Sequence, residues 1–592
     1  MCGIAGEIRF DGRNPSLQSL SRALERMRSR GPDSEGVVER ASVALGHRRL
    51  KIIDFSENAH QPMVDNELGL SIVFNGCIYN YKELRKELQG QGYRFFSSGD
   101  TEVILKAFHA WGKDCVQRFH GMFAFGILQH ESGKLALFRD RLGIKPLYYA
   151  ELSGGLVFGS QLTALLEYEG IDRSVDPEAL QFYMTLHSIV PPPWTILQGI
   201  RKLPPASWME IDRKGSVRIQ NYWELRSETS TEKKNWSFDD WKFGLEDKLT
   251  RAVERRTVAD VPVGVLLSGG LDSSLVVGLL SKIGQSSINT FSIGFEATQE
   301  EEGNEFRYSD VIAKAFSTQH HKIQIDGEKL LSQLPGCIEA MSEPMVSHDN
   351  IGFYLLSREV SKHVKVVQSG QGADEVFAGY HWYPPMMEPG AQFKRYQELF
   401  FDRDRSELQD CLQAEGAATG IVDDFVRAHY EKPGAKSPID RVLRIDTTLM
   451  LIDDPVKRVD NMTMASGLEA RVPFLDHELV EFASEMPAEY KVKEGGKFIL
   501  KEVARKFIPN EVIDRPKGYF PVPQLKYLRG ASLEFVKEIL NDPSTQNRAL
   551  FKDSYIQKLL QNPESHITPL RGSKLWQIAL LELWLNTHLK GL

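Results

Sequence analysis

The second residue of this chain is a cysteine, in MCGIAGEIRF, and removal of Met1 would leave Cys2 with a thiol and a free α-amine on adjacent carbons. Such an amine has a pKa of about 7.7–8.0, close enough to neutrality to take the thiol proton directly or through one water. A nucleophile that carries its own base needs no histidine beside it. A second chemical pattern lies in DVPVGVLLSGGLDSS, where an apolar run enters Ser268-Gly269-Gly270-Leu271-Asp272-Ser273-Ser274 and a helical pattern, LVVGLLSKIG, follows. Adjacent glycines let backbone N–H groups curl around an anion, and a helix start adds partial positive charge. The serines add donors, and Asp272 offers a hard oxygen for Mg²⁺ against phosphates. No GxxxxGK[ST] string occurs, which excludes a Walker-type loop. A third pattern, VKVVQSGQGADEVFAGY, places Ser369, Gly370, Gly372 and Ala373 before Asp374 and Glu375, again oxygen ligands beside a glycine-rich passage. Each string has a plainer reading: an incidental cysteine, a Gly-Gly turn with a serine cap, an exposed acidic helix start.

The elements that must hold these residues change character along the chain. Up to Leu225 the pattern is one of short β-like runs, among them VALGHRRLKIID, LGLSIVFNGCIYN, MFAFGIL and GLVFGS. RSETSTEKKN is polar and lacks large apolar side chains, so residues 226–238 read as a linker between a domain at 1–225 and another at 239–592. Beyond it, strongly apolar strands such as VPVGVLLS, INTFSIGF and VKVVQS alternate with helical stretches, which predicts a parallel sheet with crossover helices. A length of 592 residues also requires more than one core, since cores stop growing at about 250–300 residues. The net charge of −8 and the lack of a basic run argue against a nucleic-acid partner. No stretch approaches the roughly 18 apolar residues of a membrane span. Five scattered cysteines fit a reducing compartment, and the expectation is a cytoplasmic protein.

Read together, CGIAG, RSRGPDSEG, GHRRLKIID, FNGCIYNY, SSGDTEVIL and RDRLGIKPLYY follow one another as in class II glutamine amidotransferase domains. With the synthetase blocks SGGLDSS, SGQGADE, KRVDNMTMASGLEARVPFLD and GGKFILKEVARKFIPNEVIDRPKGYFPVP, the chain resembles the glutamine-dependent asparagine synthetase family. That resemblance implies an N-terminal α+β domain, the αββα sandwich of N-terminal-nucleophile hydrolases, and a C-terminal α/β parallel-sheet domain of the ATP-pyrophosphatase type. It implies Cys2 as the nucleophile on glutamine, with Asn75 and Gly76 as the oxyanion hole. Arg49 would take the glutamine α-carboxylate and Asp100 its α-ammonium. Without their surroundings, Asn75-Gly76 is a hairpin turn, Arg49 a solvated charge and Asp100 a helix cap.

In the second half the resemblance implies ATP contacts from Leu267, Ser268, Gly269, Gly270, Asp272, Ser273, Ser292, Gly294, Ser369 and Gly370, with Mg²⁺ at Asp272 and Asp374. Lys497 would stabilise charge on the phosphate, and Glu343, in MSEPM, would be the base for attacking ammonia. Arg471, Asp476 and the RPKGY run are candidates for the acceptor and transition-state surface, whereas His320 and His321 read as packing and surface residues. The family usually reads NGEIYN, with a glutamate that helps to bind the substrate ammonium. Here the position is Cys77, so ammonium recognition is expected to rest mainly on Asp100.

The implied activity joins the halves: glutamine gives ammonia, ATP and a carboxylate give an acyl-adenylate and pyrophosphate, and ammonia displaces AMP. The implied partners are small molecules, and the resemblance admits a homodimer. Aspartate, giving asparagine, is the default acceptor. FNGCIYNY and the chain length also resemble the N-acetylglutaminylglutamine amidotransferase subgroup, whose acceptor is an acylated dipeptide. A glutamine- or ATP-responsive binding protein without synthesis is the remaining alternative, and intact Cys2, Asn75, Ser268 and Asp272 count against it.

Overall fold

The structure is a computed structural model that describes residues 2–295, 306–325, 330–390, 392–413, 419–515 and 528–589. The N-terminal part is built on two antiparallel six-stranded sheets. One runs in the spatial order Arg201–Lys202, Tyr148–Leu152, Gly155–Gly159, Gly3–Arg9, Val43–Arg49, Ser34–Arg40. The other runs Val217–Asn221, Ser207–Ile211, Leu135–Arg139, Gly121–Gln129, Leu70–Ile78, Met63–Asp65. Side chains alternate across a strand, and Gly3–Arg9 uses this fully. Ile4 and Ile8 enter the layer between the sheets with Val43, Leu45, Val73, Leu128 and Leu137. Ala5 faces outward and packs with Leu20 and Leu24 of the helix Leu17–Arg26. Ser16 caps that helix by accepting from the N–H of Ser19. The outer face of the second sheet is covered by the helices Tyr81–Gly90 and Asp100–Trp111, through Leu84, Leu88, Val103 and Ile104. The result is the helix–sheet–sheet–helix sandwich that the resemblance implied.

The C-terminal part carries a parallel sheet in the order Gln319–Ile325, Asn289–Phe295, Val263–Leu266, Val366–Gln368, Glu469–Arg471. Chain order reverses on either side of Val263–Leu266, so a crevice opens at the carboxyl ends of this strand and of Val366–Gln368. The segments that follow these two strands are the two glycine-rich passages. His320 and His321 lie on the edge strand, where His320 bonds Thr290 and His321 stacks on Phe291.

The linker is docked along the C-terminal part. Ser227 N–H donates to Gly434 O, Thr229 Oγ1 donates to Glu485 O, and Lys233 pairs with Glu485 at 3.0 Å. The helix Phe238–Arg255 then starts at a capping box made by Ser237 and Asp240. Buried charges join the two halves. Lys202 lies 2.9 Å from Glu343 and 2.6 Å from Asp453, and Lys457 lies 3.5 and 3.3 Å from the same two carboxylates. Asp460 takes Arg30 at 2.9 Å and Lys145 at 3.0 Å. Asp453 and Asp460 belong to one helical run whose turns Asp446–Met450 and Ile452–Val456 are π-helical, a local widening often found near functional sites.

Candidate active sites

Cys2 lies buried at the start of the central strand of the first sheet. Its backbone nitrogen donates to Asn75 Oδ1 at 3.1 Å, and the Asn75 amide nitrogen faces Ser160 Oγ at 3.5 Å. Next to it, Gly76 has no room for a side chain, since a Cβ there would stand 2.1 Å from Met122 O across the sheet. The pocket around Cys2 is also lined by Arg49, Cys77 and Asp100. Arg49 is held by donating to Asp54 O at 2.5 Å. Asp100 opens the helix Asp100–Trp111 and accepts from Ile78 N–H at 3.0 Å. Burial raises its pKa to about 6, against the pull of that N–H. Burial also pushes the Cys2 thiol up, with the Leu50 backbone and Arg49 opposing in part, so a base must remove its proton.

Of the residues implied for glutamine chemistry, Cys2, Arg49, Gly76 and Asp100 line one pocket, and Asn75 stands behind it on the Cys2 backbone. Two that were expected elsewhere or not at all line it too. Arg471, read as part of the acceptor surface, lines the Cys2 pocket, together with Glu469. Asp476 lies away from both cavities, caps the helix His477–Glu485 and pairs with Arg256 at 3.0 Å.

The second site is a cavity of ≈ 560 Å³ at the crevice of the parallel sheet. Leu267, Ser268, Gly270, Asp272, Ser273, Ser292, Ser369, Gly370, Asp374 and Lys497 all line it. Ser268 Oγ and Ser273 Oγ stand 3.0 Å apart, and Ser292 Oγ donates to Leu267 O, tying two neighbouring strands together behind the loop. Gly269 stands behind this wall at φ +73°, where a Cβ would lie 2.7 Å from Ser309 N. Gly294 lies further along the strand Asn289–Phe295, outside the lining.

Lys497 Nζ bridges Asp272 at 2.7 Å and Asp374 at 2.9 Å. Although buried, it is held well above its usual pKa by those carboxylates. Lys497 and a glycine-rich loop at a helix start suit a polyphosphate once a cation offsets Asp272 and Asp374. Mg²⁺ fits the same donor set, because it is commonly held by one or two carboxylates with substrate phosphates and water completing its shell. Among the described residues no group of three or more His, Cys, Asp or Glu could hold a metal by itself. Glu375 turns away from this cavity, accepts from Tyr380 OH at 2.7 Å, and is raised to about 7 by burial beside Asp374.

Glu343 does not line the cavity. It sits in the charged joint between the halves, with Lys202, Lys457 and the Tyr148 hydroxyl on its Oε1. Gln371, Asp349, Lys501 and Arg515 line the cavity and were not anticipated individually. Of the RPKGY run only Arg515 is described, and residues 516–519 lie outside the described residues.

Residues 1–223 match the family model of a glutamine amidotransferase domain, and residues 244–586 match that of asparagine synthase. Asparagine synthetase [glutamine-hydrolyzing] 3 of Bacillus subtilis is 31% identical over 95% of this chain and 94% of its own length. Asparagine synthetase [glutamine-hydrolyzing] 1 of the same organism is 30% identical, over 100% of this chain and 97% of its own. Amidase chry2 of Gibberella zeae is 26% identical over 92% of each. No helix among the described residues is long and apolar enough to cross a membrane. The chain belongs to the glutamine-dependent asparagine synthetase family, a glutamine amidotransferase domain joined to an asparagine synthase domain.

Proposed function

We propose that this enzyme makes asparagine from aspartate, with nitrogen from glutamine and ATP converted to AMP and pyrophosphate. The observation that carries the reading is the pairing of two unlike sites, a buried N-terminal thiol pocket and a phosphate-shaped loop, on one docked chain. In the first, Cys2 attacks the glutamine side-chain amide after its own α-amine, freed by removal of Met1, takes the thiol proton. The side-chain amide of Asn75 and the N–H of Gly76 receive the developing oxyanion, donors of this kind being worth about 2.7–4 kcal/mol each. Arg49 meets the α-carboxylate with a planar fork, and Asp100 meets the α-ammonium.

In the second site, Ser268, Gly270 and Ser273 cradle the pyrophosphate, with Gly269 behind them shaping the loop and Ser369 and Gly370 opposite. Leu267 and Ser292 contact the base side of ATP, and Gly294, outside the lining, does not. Asp272 and Asp374 would hold Mg²⁺, which supplies positive charge against the phosphates. Lys497 adds charge where the leaving pyrophosphate develops it. Glutamine-driven amide synthesis is common to the curated relatives named asparagine synthetase, and aspartate as acceptor follows those names. The sparse, unpaired cysteines support a cytoplasmic setting.

The test supplies ATP with either glutamine or an ammonium salt, and either aspartate or an acylated glutamine dipeptide, and measures AMP and the amide product. Aspartate-dependent AMP with both nitrogen sources is expected for the wild type, and with ammonium alone for Cys2→Ala. AMP formation with the dipeptide only would replace aspartate as the acceptor. No AMP with any acceptor would overturn the synthetase reading.

A further inference from the structure

The pocket around Cys2 is not built by the N-terminal domain alone. Glu469 and Arg471 reach it from the last strand of the parallel sheet, where residues two apart share a face. Both are buried. Arg471 Nε donates to Glu469 Oε1 at 2.6 Å, and its Nη1 donates to the carbonyls of Arg256 at 2.9 Å and Val258 at 2.7 Å. Its Nη2 approaches Cys77 Sγ at 3.8 Å. The guanidinium is thus fixed by backbone oxygens, and it fixes Glu469 in turn. Cys77 brings no charge to the pocket, because burial pushes its thiol well above the usual range.

Among the residues lining the pocket, the carboxylates are therefore Asp100 and Glu469. They lie close enough to act on each other. After burial, which is the larger cause, Glu469 adds to the rise of the Asp100 pKa, while Arg471 holds Glu469 itself below its usual value despite burial. Two buried carboxylates therefore share this small cavity with two guanidinium groups, Arg471 bonded to Glu469 and Arg49 on the same wall, and a substrate carrying one cation and one anion can meet both signs of charge. Glutamine brings such a cation as its α-ammonium, and Arg49 on the same wall suits its α-carboxylate.

We propose that Glu469, carried by the synthetase domain, is a second carboxylate for the α-ammonium of glutamine beside Asp100, so that glutamine specificity is completed only when the two domains dock. The proposal rests on glutamine hydrolysis at Cys2. It makes Glu469 a specificity-determining residue whose removal penalises substrates that carry the ammonium and spares those that lack it.

The experiment compares hydrolysis of glutamine with that of 4-carbamoylbutanoate, which is glutamine without its α-amine. Assays use the full chain, and glutamate or glutarate release is followed. The wild type is expected to prefer glutamine in kcat/KM. Glu469→Gln raises the glutamine KM about tenfold, the scale of a hydrogen bond to a charged group, and changes the analogue little, so the preference narrows. Glu469→Asp, which keeps the charge one methylene further back, retains part of the preference. Equal losses for both substrates would overturn the proposal and leave Glu469 as a brace for Arg471 or for Cys2. A wild type that does not distinguish the two substrates would overturn it without any variant. Absence of hydrolysis of either substrate by the wild type would instead remove the glutaminase reading itself.

Discussion

Asp100 gives the glutamine pocket its pH dependence. In the free enzyme its carboxyl is raised to about 6, chiefly by burial. Only the ionised form attracts the glutamine ammonium, so kcat/KM, already falling as the Cys2 α-amine is protonated, is expected to show a further limb as pH drops through about 6. A bound ammonium favours ionisation, which places the corresponding limb of kcat at lower pH than that of kcat/KM. Asp100→Asn should remove the limb and raise the glutamine KM at neutral pH by about tenfold or more. A persistent limb near pH 6 in that variant would assign the titration to another group. Lys497 makes a second prediction at this scale. It stands between Asp272 and Asp374, and Lys497→Met leaves those carboxylates facing each other at the loop. AMP formation should be lost with glutamine and with ammonium alike, while glutamine hydrolysis continues. Retained AMP formation would show that the lysine is only a structural counter-charge.

The nucleotide loop depends at the level of the element on a backbone that only glycine takes easily. Gly269 has φ +73°, and a Cβ there would press on Ser309 N at 2.7 Å. Gly269→Ala should therefore move the loop off the phosphates, raising the ATP KM severalfold and costing about 1–2 kcal/mol of stability, with glutamine hydrolysis unchanged. An unaltered ATP KM would place the phosphates elsewhere. This loop was legible in the sequence because strand, glycines and helix are contiguous, so local rules cover the whole device. Cys2 and Asn75-Gly76 belong to different sheets and meet only in the folded domain, so their pairing is not a local feature. Legibility failed where a side chain crosses to the other domain. Arg471 occurs within a synthetase block of the sequence, and nothing local shows that it lines the Cys2 pocket. On Glu469–Arg471 the two-residue period sends Ala470 into an apolar cluster and its neighbours toward Cys2, a choice made by sheet packing.

For the whole molecule, the domain contact decides whether two reactions run as one. The strand that lends Glu469 and Arg471 to the Cys2 pocket also holds the nucleotide site, since Arg471 O accepts from the N–H of Ser369 at 2.9 Å. Beside it, Arg30 links the two parts directly, with Nε on Cys2 O at 3.3 Å and its fork on Asp460. Asp460 is buried, and Arg30 and Lys145 hold its pKa at about 2 against burial, below the ordinary 3.8. A depressed carboxyl of this kind stabilises the fold above the unfolded pKa. Its contribution of about 2 kcal/mol, an order-of-magnitude figure, disappears as pH falls from about 4 to about 2. Asp460→Asn leaves two buried cations without a counter-charge, and should cost about 3–5 kcal/mol at neutral pH. The gap to wild type in denaturant unfolding should narrow over that acid window. The functional consequence is sharper than the thermodynamic one. Loosened at Asp460, the domains still contain both reacting centres, so glutamine hydrolysis and ammonium-driven AMP formation should both persist. Ammonia made at Cys2 then escapes to water, where it is largely protonated and a poor nucleophile. The ratio of glutamate to AMP formed with glutamine should rise above the wild-type value, and added ammonium salt should restore AMP formation. An unchanged ratio in a variant of confirmed lower stability would show that the Arg30–Asp460–Lys145 joint holds the fold together without coupling its chemistry.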